Sequence, residues 1–250
     1  MTTYPRANPL PDTPVTAGIG VILSDTDAPR PPGDVGNPRT FPFPVSLTIA
    51  TGADAVTLVE HEATGTLPHY VHSGQELTAR GARAISTSCG FTVLHQQALA
   101  DELDSIVATS ALLQIPLLLR MLPARAELAV ITANATTLTP RHLAAAGVDE
   151  AGQGRLHLVG LEHTPHLYPV LVTGTGSLDT AVATEEVVTA ATTATAEHPG
   201  IAAFLLECAN LPPYSPALRA RTGLPVWDIT SMLTWLQHGF AGPYDPTLTG

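Results

Sequence analysis

The chain carries only two cysteines in 250 residues, Cys89 and Cys208, and they stand too far apart to suggest a secreted disulfide scaffold. Charged residues make up just 13% of the chain, yet no apolar run is long enough to span a bilayer. The longest, over 111–122, is interrupted by Gln114, Pro116 and Arg120. The opening residues lack the apolar stretch of a secretory signal, so the expected compartment is the cytoplasm. Basic residues are scarce: Lys and Arg total 11 against 22 Asp and Glu, for a net charge of −11. That balance argues against nucleic acid and anionic membrane as partners, and leaves a small anionic or carbonyl-containing substrate open.

Several fingerprints are missing as well. No G-x-G-x-x-G stands after the first strand and no G-x-x-x-x-G-K-[ST] occurs, which disfavours nicotinamide cofactors and nucleoside triphosphates. Gly174-Thr-Gly176-Ser177 is too short for either and reads as a turn and helix cap. There is no G-x-S-x-G elbow. His69-x-x-His72 and His163-x-x-His166 lack the further converging ligands of a zinc site and read as surface histidines in loops, so no metal is expected.

What is present is a hydrophobic, alternating chain. Hydrophobic residues reach 44% and mean hydropathy is +0.19, enough for a substantial core in one large domain or two small ones. Residues 1–16 read as an irregular Pro- and Thr-rich arm. Short apolar runs at 17–23, 45–49, 81–88, 106–108, 128–132, 201–206 and 225–229 read as strands. Between them lie helical spacings over 91–103, 111–122 and 230–238. Thr139-Pro140 opens a further helix, and Ser177 is the expected cap of a long one running to Glu197. Residues 25–39, with four prolines and two glycines, read as a loop whose centre, Gly33-Asp-Val-Gly36-Asn37-Pro38, lies soon after the first strand and could border the pocket, although its composition favours a plain surface turn. Strand–helix alternation implies α/β architecture with mainly parallel sheets.

The two cysteines close two of these strands, in Thr87-Ser88-Cys89-Gly90-Phe91 and Leu206-Glu207-Cys208-Ala209-Asn210. In open α/β sheets, chemistry sits beyond the carboxyl ends of strands. The segments beyond the cysteines echo each other: Thr109-Ser110-Ala-Leu112 stands beside Thr230-Ser231-Met-Leu233, with 21 residues from cysteine to serine in one copy and 23 in the other. Ile19-Gly-Val-Ile and Leu128-Ala-Val-Ile look like the opening strands of the same two copies. The chain therefore reads as two related lobes, each supplying one thiol. Cys89 is expected at a helix N-terminus, where the dipole and free N–H groups lower a thiol's pKa. Glu207, beside the second thiol, is expected on the opposite face in a structural role.

Two thiols on opposite sides of one carbon form an acid–base pair, one removing a proton while the other delivers one. Inversion of a stereocentre needs that arrangement. The charge that develops on substrate would be held by N–H and hydroxyl donors at Ser88, Gly90, Phe91, Thr132, Asn134 and Asn210. Buried packing cysteines, a non-catalytic two-lobed binding protein and a Cys89–Cys208 redox switch are the competing readings.

These corners, with Ile19-Gly-Val-Ile and Leu224-Pro-Val-Trp-Asp228, resemble the aspartate/glutamate racemase superfamily, which includes hydantoin racemases, maleate isomerases and arylmalonate decarboxylases. The resemblance covers about 17–240. It implies two pseudo-symmetric α/β lobes with the site in the cleft, Cys89 and Cys208 as catalytic pair, and neither pyridoxal phosphate nor metal. It also implies a C-terminal segment that returns to the first lobe, giving 17–122 plus 225–250 as lobe A and 123–224 as lobe B, with a homo-oligomer allowed. Cys89-Gly90-Phe91 and Cys208-Ala209-Asn210 depart from the Cys-Asn-Thr and Cys-Thr-Glu of amino-acid racemases, which counts against aspartate or glutamate as substrate. Arylmalonate decarboxylases keep one thiol and this chain keeps two. The resemblance therefore implies a cofactor-independent racemase or epimerase of a small carboxylate first, and a Cys-dependent isomerase or decarboxylase second.

Overall fold

A computed structural model describes residues 18–241; the expected arm over 1–16 lies outside the described residues. Among the described residues, eight strands form two parallel sheets. The first contains β1 (Ile19–Ser24), β2 (Val45–Ala50), β3 (Ala84–Thr87) and β4 (Ile106–Ala108) in the order β2-β1-β3-β4. The second contains β5 (Glu127–Thr132), β6 (Leu156–Gly160), β7 (Ile201–Leu206) and β8 (Val226–Trp227) in the order β6-β5-β7-β8. The two orders are identical when the strands are numbered within each sheet, which is the two-lobed repeat expected from sequence. β1, β3, β5 and β7 are almost wholly buried, as strands covered on both faces must be; β1, β5 and β7 therefore read as nearly unbroken apolar runs, while β3 ends in Ser86 and Thr87, whose hydroxyls donate to the Ala108 and Thr109 carbonyls.

The helices among the described residues are α1 (Ala55–Glu60), α2 (Leu67–Ala79), α3 (Gln96–Glu102), α4 (Ile115–Met121), α5 (Pro140–Ala145), α6 (Glu150–Gln153), α7 (Thr180–Glu197), α8 (Ser215–Thr222) and α9 (Ile229–Ala241). None is long and apolar enough to cross a membrane. α2 replaces the mixed loop expected around His69 and His72. Pro68 occupies its first turn, where a missing N–H costs nothing, and Gly74 lets the Leu103 side chain lie where a Cβ would be, at 2.5 Å. α7 is capped by Asp179, whose carboxylate accepts from Ala181 and Val182 N–H, and not by Ser177. α5 has the capping arrangement anticipated at Thr139, with His142 reaching back.

One continuous apolar core joins the inner faces of both sheets, from Ile19 and Leu23 to Leu128, Phe204 and Leu233. A second, smaller core of Ile22, Leu58, Tyr70, Leu77, Ile85 and Leu99 backs the first sheet. The chain crosses back late. β8 pairs with β7 and so stays in the second sheet, while α9 reaches the first lobe, its Phe240 ring 4.4 Å below the Arg83 guanidinium.

Candidate active site

In each sheet the direction of strand addition reverses between the central pair, β1/β3 in one and β5/β7 in the other. Such switch points leave a crevice at the carboxyl ends of the strands. Ser24 and Ser88-Cys89 end the first pair; Thr132-Ala133 and Glu207-Cys208 end the second. A narrow cavity lies between them, lined by Ser24, Thr26, Ser88, Cys89, Gly90, Phe91, Glu207, Cys208 and Asn210, with α1 and the π turn Pro169–Thr173 supplying Leu58, Val59, Leu171 and Val172. Six of the eight residues singled out from sequence line it. Thr132 and Asn134 do not: the Thr132 hydroxyl is spent on Glu207, and the Asn134 amide on Glu60.

Both thiols are free and partly exposed. Cys89 stands in extended conformation before a 3-10 turn, Gly90–His95, that runs into α3. The N–H groups of Phe91 and Thr92 point at its sulfur, as a helix start should provide. The lowered pKa expected at that position is not found. Burial pushes the Cys89 thiol up from 9.0 to about 12, and the Glu207 carboxylate adds to that rise. Two N–H groups do not outweigh the loss of solvent around the anion. Cys208 is raised well above its ordinary value, by burial first and then by Glu207, with one N–H, that of Asn210, opposing. Its thiol donates to Asn210 Oδ1 at 3.7 Å, a contact that favours the protonated form. The two sulfurs are thus unequal: donors face Cys89 and an acceptor faces Cys208.

Glu207 does not take the facing expected from sequence, since it lines the same cavity as Cys208. Strand alternation would turn it away from Cys208, but β7 ends at Leu206, so the alternation stops one residue short. Its side chain is 1% exposed and lies against Gly90, where a Cβ would stand 2.0 Å from Oε1. Thr132 Oγ1 donates to Oε2 at 2.8 Å, whereas Oε1 has no hydrogen-bond partner. Burial lifts its carboxyl from 4.5 to about 7, against the lowering pull of Thr132. A glycine was the available signal, since Gly90 directly after Cys89 leaves room for a neighbouring group to approach the backbone.

The loop expected at the surface is also part of the site. Asp34 is 0% exposed and accepts from Arg30 Nη1 at 3.0 Å, from Gly36 N–H at 2.7 Å and from Asn210 Nδ2 at 2.6 Å. It thereby turns the Asn210 carbonyl oxygen toward Cys208. Across the cleft mouth, Glu60 of α1 accepts from Tyr168 Oη and from Asn134 Nδ2, tying the first lobe to the second. Among the described residues no cluster of His, Cys, Asp and Glu converges as a metal site would.

No protein-family model matches the chain. It is 31% identical over 229 residues to a dimethylsulfoniopropionate lyase of Durusdinium sp. clade D, covering 90% of this chain and 75% of that protein. It is 32% identical over 229 residues to dimethylsulfoniopropionate lyase 7 of Emiliania huxleyi, covering 87% of this chain and 66% of that protein. Among solved structures, a Gly-to-Cys variant of arylmalonate decarboxylase with sulfate bound matches with a TM-score of 0.55 at 18% identity over 90% of this chain and 94% of that one. Aspartate racemase of Picrophilus torridus matches with a TM-score of 0.54 at 12% identity over 90% and 95%. The solved structures bear out the superfamily fold. The relatives overturn the racemase or epimerase reading, because those that align over most of the chain are named for a lyase.

Proposed function

The chain belongs to the dimethylsulfoniopropionate lyase family, and from that membership we propose that it cleaves dimethylsulfoniopropionate by β-elimination, with Cys89 as the base. The observation that carries the reading is the family match together with two inequivalent thiols facing one cavity. Dimethylsulfoniopropionate is a zwitterion, with a carboxylate at one end and a sulfonium at the other. The hydrogen next to the carboxylate is the acidic one. The Cys89 thiolate takes that proton. The C–H electron pair becomes the carbon–carbon double bond, and the electron pair of the carbon–sulfur bond leaves with neutral dimethyl sulfide. The remaining product is the unsaturated carboxylate, acrylate. Cys89 then returns its proton to solvent.

Assignment of the base to Cys89 rests on its surroundings, two N–H donors against one donor and one acceptor at Cys208. Cys208 stays a thiol whose S–H donates to Asn210 Oδ1, and it reaches the charge developing on the substrate by turning that one hydrogen from Asn210. The hydroxyls of Ser24, Thr26 and Ser88 line the same cavity and supply donors for the substrate carboxylate. Ser24 and Ser88 are already held together, Ser24 N–H donating to Ser88 Oγ at 2.9 Å, so these donors are oriented before substrate arrives.

Incubation of the protein with dimethylsulfoniopropionate, with headspace detection of dimethyl sulfide, tests the proposal. Cys89→Ala is expected to lower kcat by at least about 10³-fold, as for loss of a general base. Cys208→Ala is expected to lose less, because a donor and not the base is removed. A Cys89→Ala protein with wild-type turnover would end the assignment of the base, and a wild-type protein that releases no dimethyl sulfide would end the lyase reading.

A further inference from the structure

We propose that Glu207 is the specificity-determining residue that reads the positive charge of the substrate, so that the site takes onium carboxylates and turns away carboxylates of the same shape that lack the onium charge. The inference deepens the lyase reading and rests on it for the identity of the cation.

Glu207 is the single charged residue among the described residues lining the cavity. The chain contains no lysine, and no described arginine lines the cavity; the nearby buried Arg30 is spent on Asp34 at 3.0 Å. Most other lining groups are aliphatic or hydroxyl. A dianion would therefore meet a negative, weakly hydrated pocket with no countercharge, while a cation would find one buried carboxylate. The state of that carboxylate points the same way. Its Oε1 is sealed from solvent and has no hydrogen-bond partner, an arrangement that costs free energy in the empty site. A sulfonium has no N–H or O–H to donate, so it needs a bare oxygen acceptor and not one already saturated with donors. Oε1 carries no such donors, and because it is closed to solvent and packed against Gly90 it acts on a cation in the cavity as a charge just behind the cavity wall and not by direct contact. Thr132 fixes the other oxygen at 2.8 Å and so holds the group in place without neutralising it.

The same contact prepares the base. The Glu207 charge opposes ionisation of both sulfurs. An onium in the cavity offsets that charge and makes the Cys89 thiolate easier to form. The thiolate then forms chiefly when an onium is in place.

The test uses an isosteric pair in which neither member can undergo β-elimination: dimethylsulfonioacetate and 3-methylbutanoate, which differ in S⁺ against C–H. Calorimetric binding to the wild-type protein is expected to favour the sulfonium by about tenfold or more, and Glu207→Gln, which can still accept from Thr132, is expected to bring the two within about twofold. Equal binding of the pair by wild type overturns the inference. A preference that persists undiminished in Glu207→Gln overturns it too, since the charge is then read elsewhere. Should the variant not fold, the wild-type ratio is read against pH: it is expected to fall as pH drops from about 8 to 6 and the Glu207 carboxyl protonates, and a ratio that does not change over that range overturns the inference. Dimethyl sulfide release by wild type is read separately. Its absence with the preference intact sinks the lyase assignment and leaves the role of Glu207 standing; its presence without the preference does the reverse.

Discussion

Substitution of Gly90 by Ala probes the site through packing and not through chemistry. An added Cβ would stand 2.0 Å from Glu207 Oε1 and 2.5 Å from the Glu207 carbonyl oxygen. The carboxylate cannot swing aside cheaply, because Thr132 holds Oε2 and the group is 1% exposed. The carbonyl belongs to the backbone between β7 and Cys208. To restore ordinary contact, the two strand ends must separate by roughly 1–1.5 Å, an overpacking that costs about 1–3 kcal/mol. For a chain of this size that is a fall in Tm of about 2–12 °C. The separation also moves Cys89 relative to Glu207 and Cys208, and a displacement of that order costs up to about 10²-fold in turnover. Gly154→Ala is the control. There the nearest atoms are Ala151 and Glu150 carbonyl oxygens at 3.6 and 3.8 Å, and φ is −65°, so alanine fits and stability should hold or rise by up to about 1 kcal/mol. Thermal unfolding and dimethyl sulfide release on both variants read the outcome. A Gly90→Ala protein that melts within about 1 °C of wild type and keeps its turnover would refute the packing argument.

Buried charge gives two further outcomes. Asp34→Asn leaves Arg30, 7% exposed, without its countercharge and is expected to destabilise the fold by about 3–5 kcal/mol, read as a lower denaturant midpoint at unchanged slope. Glu207 titrates at about 7 in the folded chain against 4.5 ordinarily, so its stabilising contribution is complete below about pH 4.5 and is lost as pH rises through 7. Unfolding free energy measured between these limits should therefore fall by about 3 kcal/mol more in wild type than in Glu207→Gln; parallel pH profiles would contradict it.

Much of the fold is legible because buried parallel strands leave an unmistakable mark. Residues 19–23, 128–132 and 201–206 are almost unbroken apolar runs, and with Cys208 following the last of them and Cys89 following the shorter strand over 84–87, the positions of both sulfurs at strand ends are legible. The errors fall where local pattern and tertiary environment disagree. α2 hides behind Pro68, Gly74 and two histidines, because its propensity is poor and its helicity comes from packing Tyr70 and Leu77 against the first sheet. The Cys89 thiol is raised and not lowered because its depth of burial, which sequence does not show, outweighs the helix start, which sequence does show. Asp34 sits in a segment whose prolines and glycines mark a loop, and nothing local shows that the loop folds inward onto Asn210, 176 residues away.

The function is the least legible part, for a chemical reason. Racemisation, decarboxylation and β-elimination all pass through negative charge on the carbon beside a carboxylate, and a pair of thiols at two strand ends suits each of them. The thiols make or receive that charge; they do not decide its fate. Where a second thiol can deliver a proton to the opposite face, the outcome is inversion. Where the neighbouring carbon carries a neutral-leaving sulfonium, bond cleavage competes with that delivery. On the lyase reading, Asn210, held by Asp34, tilts the competition by keeping a hydrogen-bond acceptor against the Cys208 thiol, whereas Glu207, which lines the same cavity, acts on the cation in two opposing senses. A carboxylate there would favour binding of the sulfonium and oppose its departure, since the leaving group loses its charge as it goes. The reaction therefore gains only if Glu207 is worth more in lowering the cost of ionising Cys89 with substrate bound than it loses as the carbon–sulfur bond breaks. In Glu207→Gln the two effects separate: KM should rise with loss of the attraction for the cation, while the ionisation limb of kcat/KM should move to lower pH, because the charge that raises both thiols is gone. A variant whose KM rises with no movement of that limb would leave Glu207 a binding group alone and uncouple it from the base.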